Sequence, residues 1–581
     1  MRNPSYKAFL IMLSLFMLNC AGGRKYTLAP IKTFDPDNAD IPEPEEKEEN
    51  QIWDIVDMTF VYQIEKLLDL NWTARKVGKG LQVVNGRPAD NVNRLDEVPN
   101  SSWYTNRHYH HAMTKEELVR GPNVTKGPDQ SGSWTIVSGK FEGGTTGFTI
   151  KDARGDRYLL KFDPPAYQEM GSSAEVISTK ILFACGYNVP QNTVVYFDPD
   201  LLEIGETAEV AERGVKRPMT EDDLEAMLKP LPRRKDGKIR TMASKFVAGK
   251  PVGVWFYKGT RRDDPNDRVH HEHRRELRGL RSISSWLNDA DRRAANTLAV
   301  YTEDDETGDK YIKHYLIDMG STLGSNNLIP HAPKYGNEYL VDPRTIGLQW
   351  ITLGIYVKPW EFETGHINPR FLSVGYFESD IFDPGAWYPT YPNPAFEYVT
   401  LRDAYWGAKI VMSFTDEQIR AIVASAQMSN PKAEEYLIKT LIERRDKVGR
   451  YWFERMNPLD KFKIKRDDQN RVTLNFQDLA VEGNIANAED TKYVYTFSYD
   501  RAGMHKQAYV DEPAIPISDH GNGFLDDIVA DGDIKSEEDK IFSVKIRTQR
   551  KDKDLSKAVE VYFYYAGDYR KARIVGIARE E

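Results

Sequence analysis

The sequence predicts an α+β protein with an antiparallel-sheet region, then a helical region, then a separate all-β region at the C-terminus. Three observations predict it. Residues 134–163, "WTIVSGKFEGGTTGFTIKDARGDRYLLKFD", contain three β-type runs joined by two turns. Between about 275 and 458, apolar residues recur at helical spacing, as in Leu277, Leu280, Ile283 and Leu287. From about 461 short alternating runs take over, among them "RVTLNFQDL", "KYVYTFSYD" and "VEVYFYYAG", the pattern of a β-sandwich-like domain over 461–581. The 581 residues suggest two to four structural units. A net charge of -9 removes any general electrostatic reason to bind nucleic acid, and no nucleic-acid partner is expected.

The elements follow in order. Arg2 and Lys7 flank an eleven-residue apolar stretch at 8–18, too short to span a bilayer and suited to a signal-peptide core. It leads into "MLNCAGG", which resembles the lipobox of bacterial lipoproteins, although Met17 and Asn19 depart from the commonest pattern. The resemblance implies a signal peptide over 1–20, lipidation at Cys20, and a chain anchored by lipid to a membrane of the bacterial cell envelope. The other cysteine, Cys185, reads as a core residue. Residues 21–52 are proline-rich and acidic and are expected to form a disordered tether. An N-terminal extension over 53–133 holds one predicted helix and an aromatic loop in which His108, His110 and His111 lack any metal-ligand spacing.

The turn "EGGTTG" places Gly143, Gly144 and Gly147 where backbone amides can approach an anion. Lys161 lies inside the apolar strand "RYLLKFD", so it needs an anionic partner or a route to water. Glu175 follows fourteen residues later in a predicted helix that opens on serine caps. Two further strands, "NTVVYFD" and "IRTMASKFVAGKPVG", complete an expected five-stranded sheet with one helix. His270, His271 and His273 read as solvated residues at the start of the next helix. That helix delivers the chain into "DADRRAAN", where Asp291 and Asn296 stand five apart. Two strands then end at Asp318 in "IDMGSTLG". Beyond a proline-rich aromatic run, two helices are expected, with Tyr436, Leu437 and Leu441 on the core side.

Lys161, Glu175, Asp291, Asn296 and Asp318, in that order and on those element types, resemble the protein-kinase-like superfamily, in its atypical bacterial and lipid-kinase-like branches. The resemblance implies a sheet lobe over 134–255 and a helical lobe over 256–460. It implies ATP or another nucleotide as cofactor, with Mg2+ held by Asn296 and Asp318. Lys161, oriented by Glu175, would hold the α- and β-phosphates, with Gly143, Gly144 and Gly147 beside them. Asp291 would take the proton of a substrate hydroxyl, and Arg292 would stabilise charge nearby. Asp289, two residues away, is the rival for the metal. The glycine turn lacks G-x-G-x-x-G, and Met319 stands where an aromatic residue is common. Two functions stay open: a membrane-anchored phosphotransferase acting on a protein or small-molecule hydroxyl, and a catalytically inactive envelope scaffold that binds a partner through the same cleft and the C-terminal β-domain.

Overall fold

The computed structural model describes residues 26–47, 55–68, 86–140, 146–212, 215–358, 360–361, 368–466, 472–499, 503–504, 507–518, 536–566 and 569–581. Cys20, Gly143, Gly144 and the acidic loop at 519–533 lie outside them. The chain is a mixed αβ protein with one large, mainly antiparallel sheet and several helices.

The meander forms as expected from β1 (Trp134–Lys140), β2 (Gly147–Lys151) and β3 (Arg157–Lys161). With β4 (Gln191–Phe197), β5 (Leu202–Glu212), β6 (Val215–Pro218) and β7 (Ile239–Lys245) the sheet has seven strands, in the order β4-β7-β3-β2-β1-β5-β6. Only the β1/β5 pair is parallel. The expected five strands were too few because β5 hides its alternation. Its pairing with β1 breaks register between Ile136 and Ser138, and glutamates fall at its exposed positions.

Helix α1 (Met170–Ala184) lies on one face, where Val176 meets Val194 and Met242. Helix α2 (Glu221–Leu228), unforeseen in the sequence, covers the other face, where Leu224 and Met227 join Trp134, Phe148, Tyr158 and Leu160. Strand alternation therefore sends Leu160 into this core and Lys161 to the opposite face. The serine caps expected for α1 sit inside it instead. Its first turn is closed from outside by Asp163, whose carboxylate accepts from the Glu169 and Ser172 amides and pairs with Arg240 at 3.2 Å.

A second core is built from helices. Helix α3 (Arg275–Leu287) packs on α4 (Leu401–Val411) and α6 (Pro431–Phe453) and carries Leu277, Leu280, Ile283 and Trp286 into one core with residues of α1 and α5 (Asp416–Ala424). Three helices thus follow the aromatic run where two were expected. Helices α3 and α4 cross where Gly279 faces Gly407, and a Cβ on Gly407 would stand 2.3 Å from the Gly279 carbonyl oxygen. Leu437 and Leu441 are buried and Tyr436 is half-buried, as their spacing predicts.

Of the histidines at the head of α3, His270 is exposed as expected, and the other two are a correction. His271 and His273 are buried, His271 against Asp267 at 2.7 Å and His273 as acceptor from Arg278. Their charged neighbours made them look solvated, but those neighbours are ion-paired inside the fold. Segment 26–47 is also not free. Tyr26 packs on Gly576 and Tyr562, Asp37 accepts from Ser102, and Ile41 is buried with its amide on the Lys310 carbonyl. An acidic, proline-rich strap can be ordered because the rest of the fold supplies its hydrogen-bond partners.

After α6 come a three-stranded sheet (Leu459–Arg466, Val472–Asp478, Ala514–Ser518) and a second sheet built on Thr491–Tyr499, Ile541–Arg550, Val559–Tyr564 and Arg573–Arg579. They share one core, with Leu474 and Ile515 from the first and Val544, Val561 and Phe563 from the second. A buried charge hub ties this region to the helices. Asp96 bonds Arg275 and Arg402, each at 2.6 Å, and lies 3.3 Å from Arg579, which also pairs with Asp460 at 3.2 Å.

Candidate active site

Helix α3 ends at Asn288, whose left-handed conformation (φ 48°, ψ 43°) turns the chain away after its amide bonds back into the helix. The stretch 289–296 then passes into strand β8 (Thr297–Glu303), which pairs antiparallel with β9 (Lys310–Leu316), Thr297 opposite Leu316. The Ile317 amide extends the ladder to the Asn296 carbonyl at 3.0 Å. Asn296 and Asp318 therefore leave the hairpin at the same end, and the acidic turn at 304–309 lies at the other. This is how the twenty-six residues between Asp291 and Asp318 are absorbed without separating them.

The Asn296 side-chain amide donates to Asp291 Oδ2 at 3.0 Å, and Arg293 Nε stands 3.1 Å from Asp291 Oδ1. Asp291 remains 26% exposed, whereas Asp289 and Arg292 are sealed from solvent and paired to each other at 2.8 Å. Asp289 is thus walled off from the cleft, and the five-residue spacing picks the accessible carboxylate. Burial pushes the Asp291 carboxyl above its ordinary range despite Arg293.

Lys161 Nζ stands 3.1 Å from Asp318 Oδ1 and 3.6 Å from Glu175 Oε2. Burial alone would lower the ammonium, but the two carboxylates hold it above its ordinary value. Lys161 in turn lowers Asp318, while burial raises Glu175. Asn192, fully buried on β4, donates to Glu175 Oε1 at 3.1 Å and to Thr179, which fixes the carboxylate toward Lys161. Nothing in the sequence flags Asn192, because its partners lie on another element. Asp318 itself is left-handed (φ 54°, ψ 72°), a conformation that costs about 1–3 kcal/mol outside glycine and persists only where the surrounding structure imposes it.

These groups form the back of a cleft of about 810 Å³, a size typical of small-molecule sites. Gly147, Thr149 and Leu159 of the sheet form its roof, Leu298 and Ile317 of the hairpin its floor, and Phe246 and Val247 of the connection after β7 its side. Gly147 lies opposite Lys161 in the ladder, and a Cβ there would stand 2.2 Å from the Leu160 carbonyl oxygen. The structure thus brings Lys161, Glu175, Asp318 and Gly147 to one cleft, with Asn296 and Asp291 at the adjoining hairpin end.

Among the described residues no group of three His, Cys, Asp or Glu side chains is placed to hold a metal. His108 instead accepts from the Met113 amide and lies 3.1 Å from the Ser413 carbonyl. The Asp318 carboxylate and the Asn296 amide oxygen nevertheless fit Mg2+, which binds through one or two protein oxygens when phosphates supply the rest. Asp318 keeps 40% of its side chain exposed, and Asn296 uses its Nδ2, not its oxygen, on Asp291.

No family model matches the chain, and no curated protein matches it. A solved structure titled "Crystal structure of the golgi casein kinase" matches at 10% identity over 73% of this chain and 96% of that one, with a TM-score of 0.23. So loose a superposition supports neither fold nor function, which leaves the geometry of the cleft as the ground for a functional reading.

Proposed function

We propose that the chain is a Mg2+-dependent phosphotransferase on the two-lobed kinase plan, moving a nucleotide phosphoryl group to a protein or small-molecule hydroxyl. One observation carries this reading: Lys161 is held between Glu175 and Asp318 at the back of a nucleotide-sized cleft. The ammonium is kept charged for the α- and β-phosphates, and the sheet roof and hairpin floor enclose a flat base. Asp318 and Asn296 would hold Mg2+, which when bound neutralises charge on the phosphate oxygens. Asp291, accessible and kept in place by Asn296 and Arg293, takes the acceptor hydroxyl proton as the phosphoryl group transfers in line.

The proposal includes a lipid anchor on Cys20 at the bacterial cell envelope, supported by the sequence of residues 2–20 alone. No described helix is long and apolar enough to cross a membrane. It also gives the paired C-terminal sheets a sandwich-like, partner-binding role, supported by their common core. The second reading, a binding scaffold, is favoured by one contact: Lys161 sits nearer Asp318 than Glu175, so the residue needed for metal is already engaged.

Incubation of the purified chain with γ-labelled ATP and Mg2+, alone and with envelope extract, separates the two. Labelled phosphate released or transferred is the expected result. Nucleotide that binds while the label never leaves it would select the scaffold.

A further inference from the structure

Arg292 belongs to the stretch assigned to catalysis, yet the cleft walls do not include it. Its side chain is fully enclosed, and four of its five N–H donors already have partners inside the fold. Nε bonds Asp289 at 2.9 Å, Nη1 bonds the Asn296 carbonyl at 3.3 Å, and Nη2 bonds the carbonyls of Ile317 at 3.1 Å and Asp318 at 2.7 Å. From behind, Asn393 Nδ2 donates to the Arg292 carbonyl at 3.0 Å. A guanidinium in this arrangement has no free face for a phosphate. It does grip the backbone of both residues whose oxygens would meet the metal.

We propose that Arg292 is a positioning residue: it clamps the backbones of Asn296 and Asp318 together and so sets the divalent-cation affinity of the site, without touching the nucleotide. This rests on the phosphotransferase reading above and deepens it. The clamp accounts for the left-handed backbone at Asp318, because the two carbonyls on either side of its φ and ψ rotations are pinned by one rigid fork. It also accounts for the buried Asp289, whose carboxylate neutralises and aims the guanidinium. Lysine is a point charge on a flexible stem and cannot reproduce the fork.

The test uses the full chain and follows its thermal unfolding with ATP, first in EDTA and then across a Mg2+ titration at fixed ATP. In Arg292→Lys the response to ATP in EDTA is expected to match wild type. The Mg2+ concentration giving half of the metal-dependent stabilisation is expected to rise roughly ten- to a hundred-fold, the usual effect of losing a group that orients a metal ligand. An unchanged Mg2+ half-point overturns the proposal. So does an equal loss of the ATP response in EDTA, which would mean that Arg292 meets the phosphates. If Arg292→Lys does not fold, Asp289→Asn keeps the arginine and removes its anchor, and an unchanged half-point there is equally contrary. Wild type that ignores both ATP and Mg2+ overturns the functional reading and the clamp together. Wild type that responds, with variants that titrate identically, overturns the clamp alone.

Discussion

Asp96→Ala is expected to destabilise the protein by about 3–5 kcal/mol, the scale of breaking a buried ion pair from one side. The Asp96 side chain is 3% exposed and faces the guanidiniums of Arg275, Arg402 and Arg579. Those arginines come from α3, α4 and the last strand, so one carboxylate joins three parts of the chain. Arg275 keeps Asp403 and Arg579 keeps Asp460 in the variant, yet each loses a buried countercharge. Neighbouring Glu97 adds to the same hub through Lys409. Burial alone would raise the Asp96 carboxyl, but its three arginines hold it at about 2, below its ordinary 3.8. A depressed acid contributes its stability above the ordinary value and loses it as pH falls toward the folded-state value. The gap between wild type and Asp96→Ala in urea midpoints should therefore be full near neutrality and shrink between about pH 4 and 2. A gap that is small at pH 7, or that widens in acid, contradicts this role for the hub.

Asp291→Asn is expected to lower phosphoryl transfer about 10²–10⁴-fold, the contribution of a positioned general base. The substitution preserves shape and can still accept from Asn296, so the loop should keep its path. Asp291 does not line the cleft proposed for the nucleotide, so ATP affinity should be unaffected while turnover falls. Because burial raises its carboxyl, wild-type activity should climb with pH through that raised value as the base becomes available. Single-turnover rates with labelled ATP measure both effects. Loss of ATP binding in step with turnover, or no loss of turnover, would remove Asp291 from the role.

Lys161 was legible as an anomaly, a charge inside an apolar strand, and Glu175 as the first acid on the following helix. Asp318 was legible because it closes a strand, and the hairpin register then brought it to Asn296 despite the intervening acidic turn. Long-range partners left no local trace. Asn192 aims Glu175 from β4, and Asp163 with Arg240 closes α1, through contacts that no spacing rule encodes. The same holds for His271 and His273, since burial of a charged residue depends on partners arriving from elsewhere. Segment 26–47 read as a tether for a related reason: composition reports what a segment can bury by itself, and Asp37 and Ile41 are satisfied by Ser102 and Lys310. Arg292 showed its residue type in the sequence, but only the structure shows it buried, with Nε, Nη1 and Nη2 each bonded inside the fold.

The most direct test of a nucleotide and metal site in the cleft is calorimetric titration of the chain with ATP, with and without Mg2+, in wild type and Asp318→Asn. Wild type is expected to bind ATP more tightly with Mg2+, and Asp318→Asn to bind ATP with the Mg2+ effect gone. No binding of ATP at any Mg2+ concentration, or the same Mg2+ effect in Asp318→Asn, would contradict the assignment.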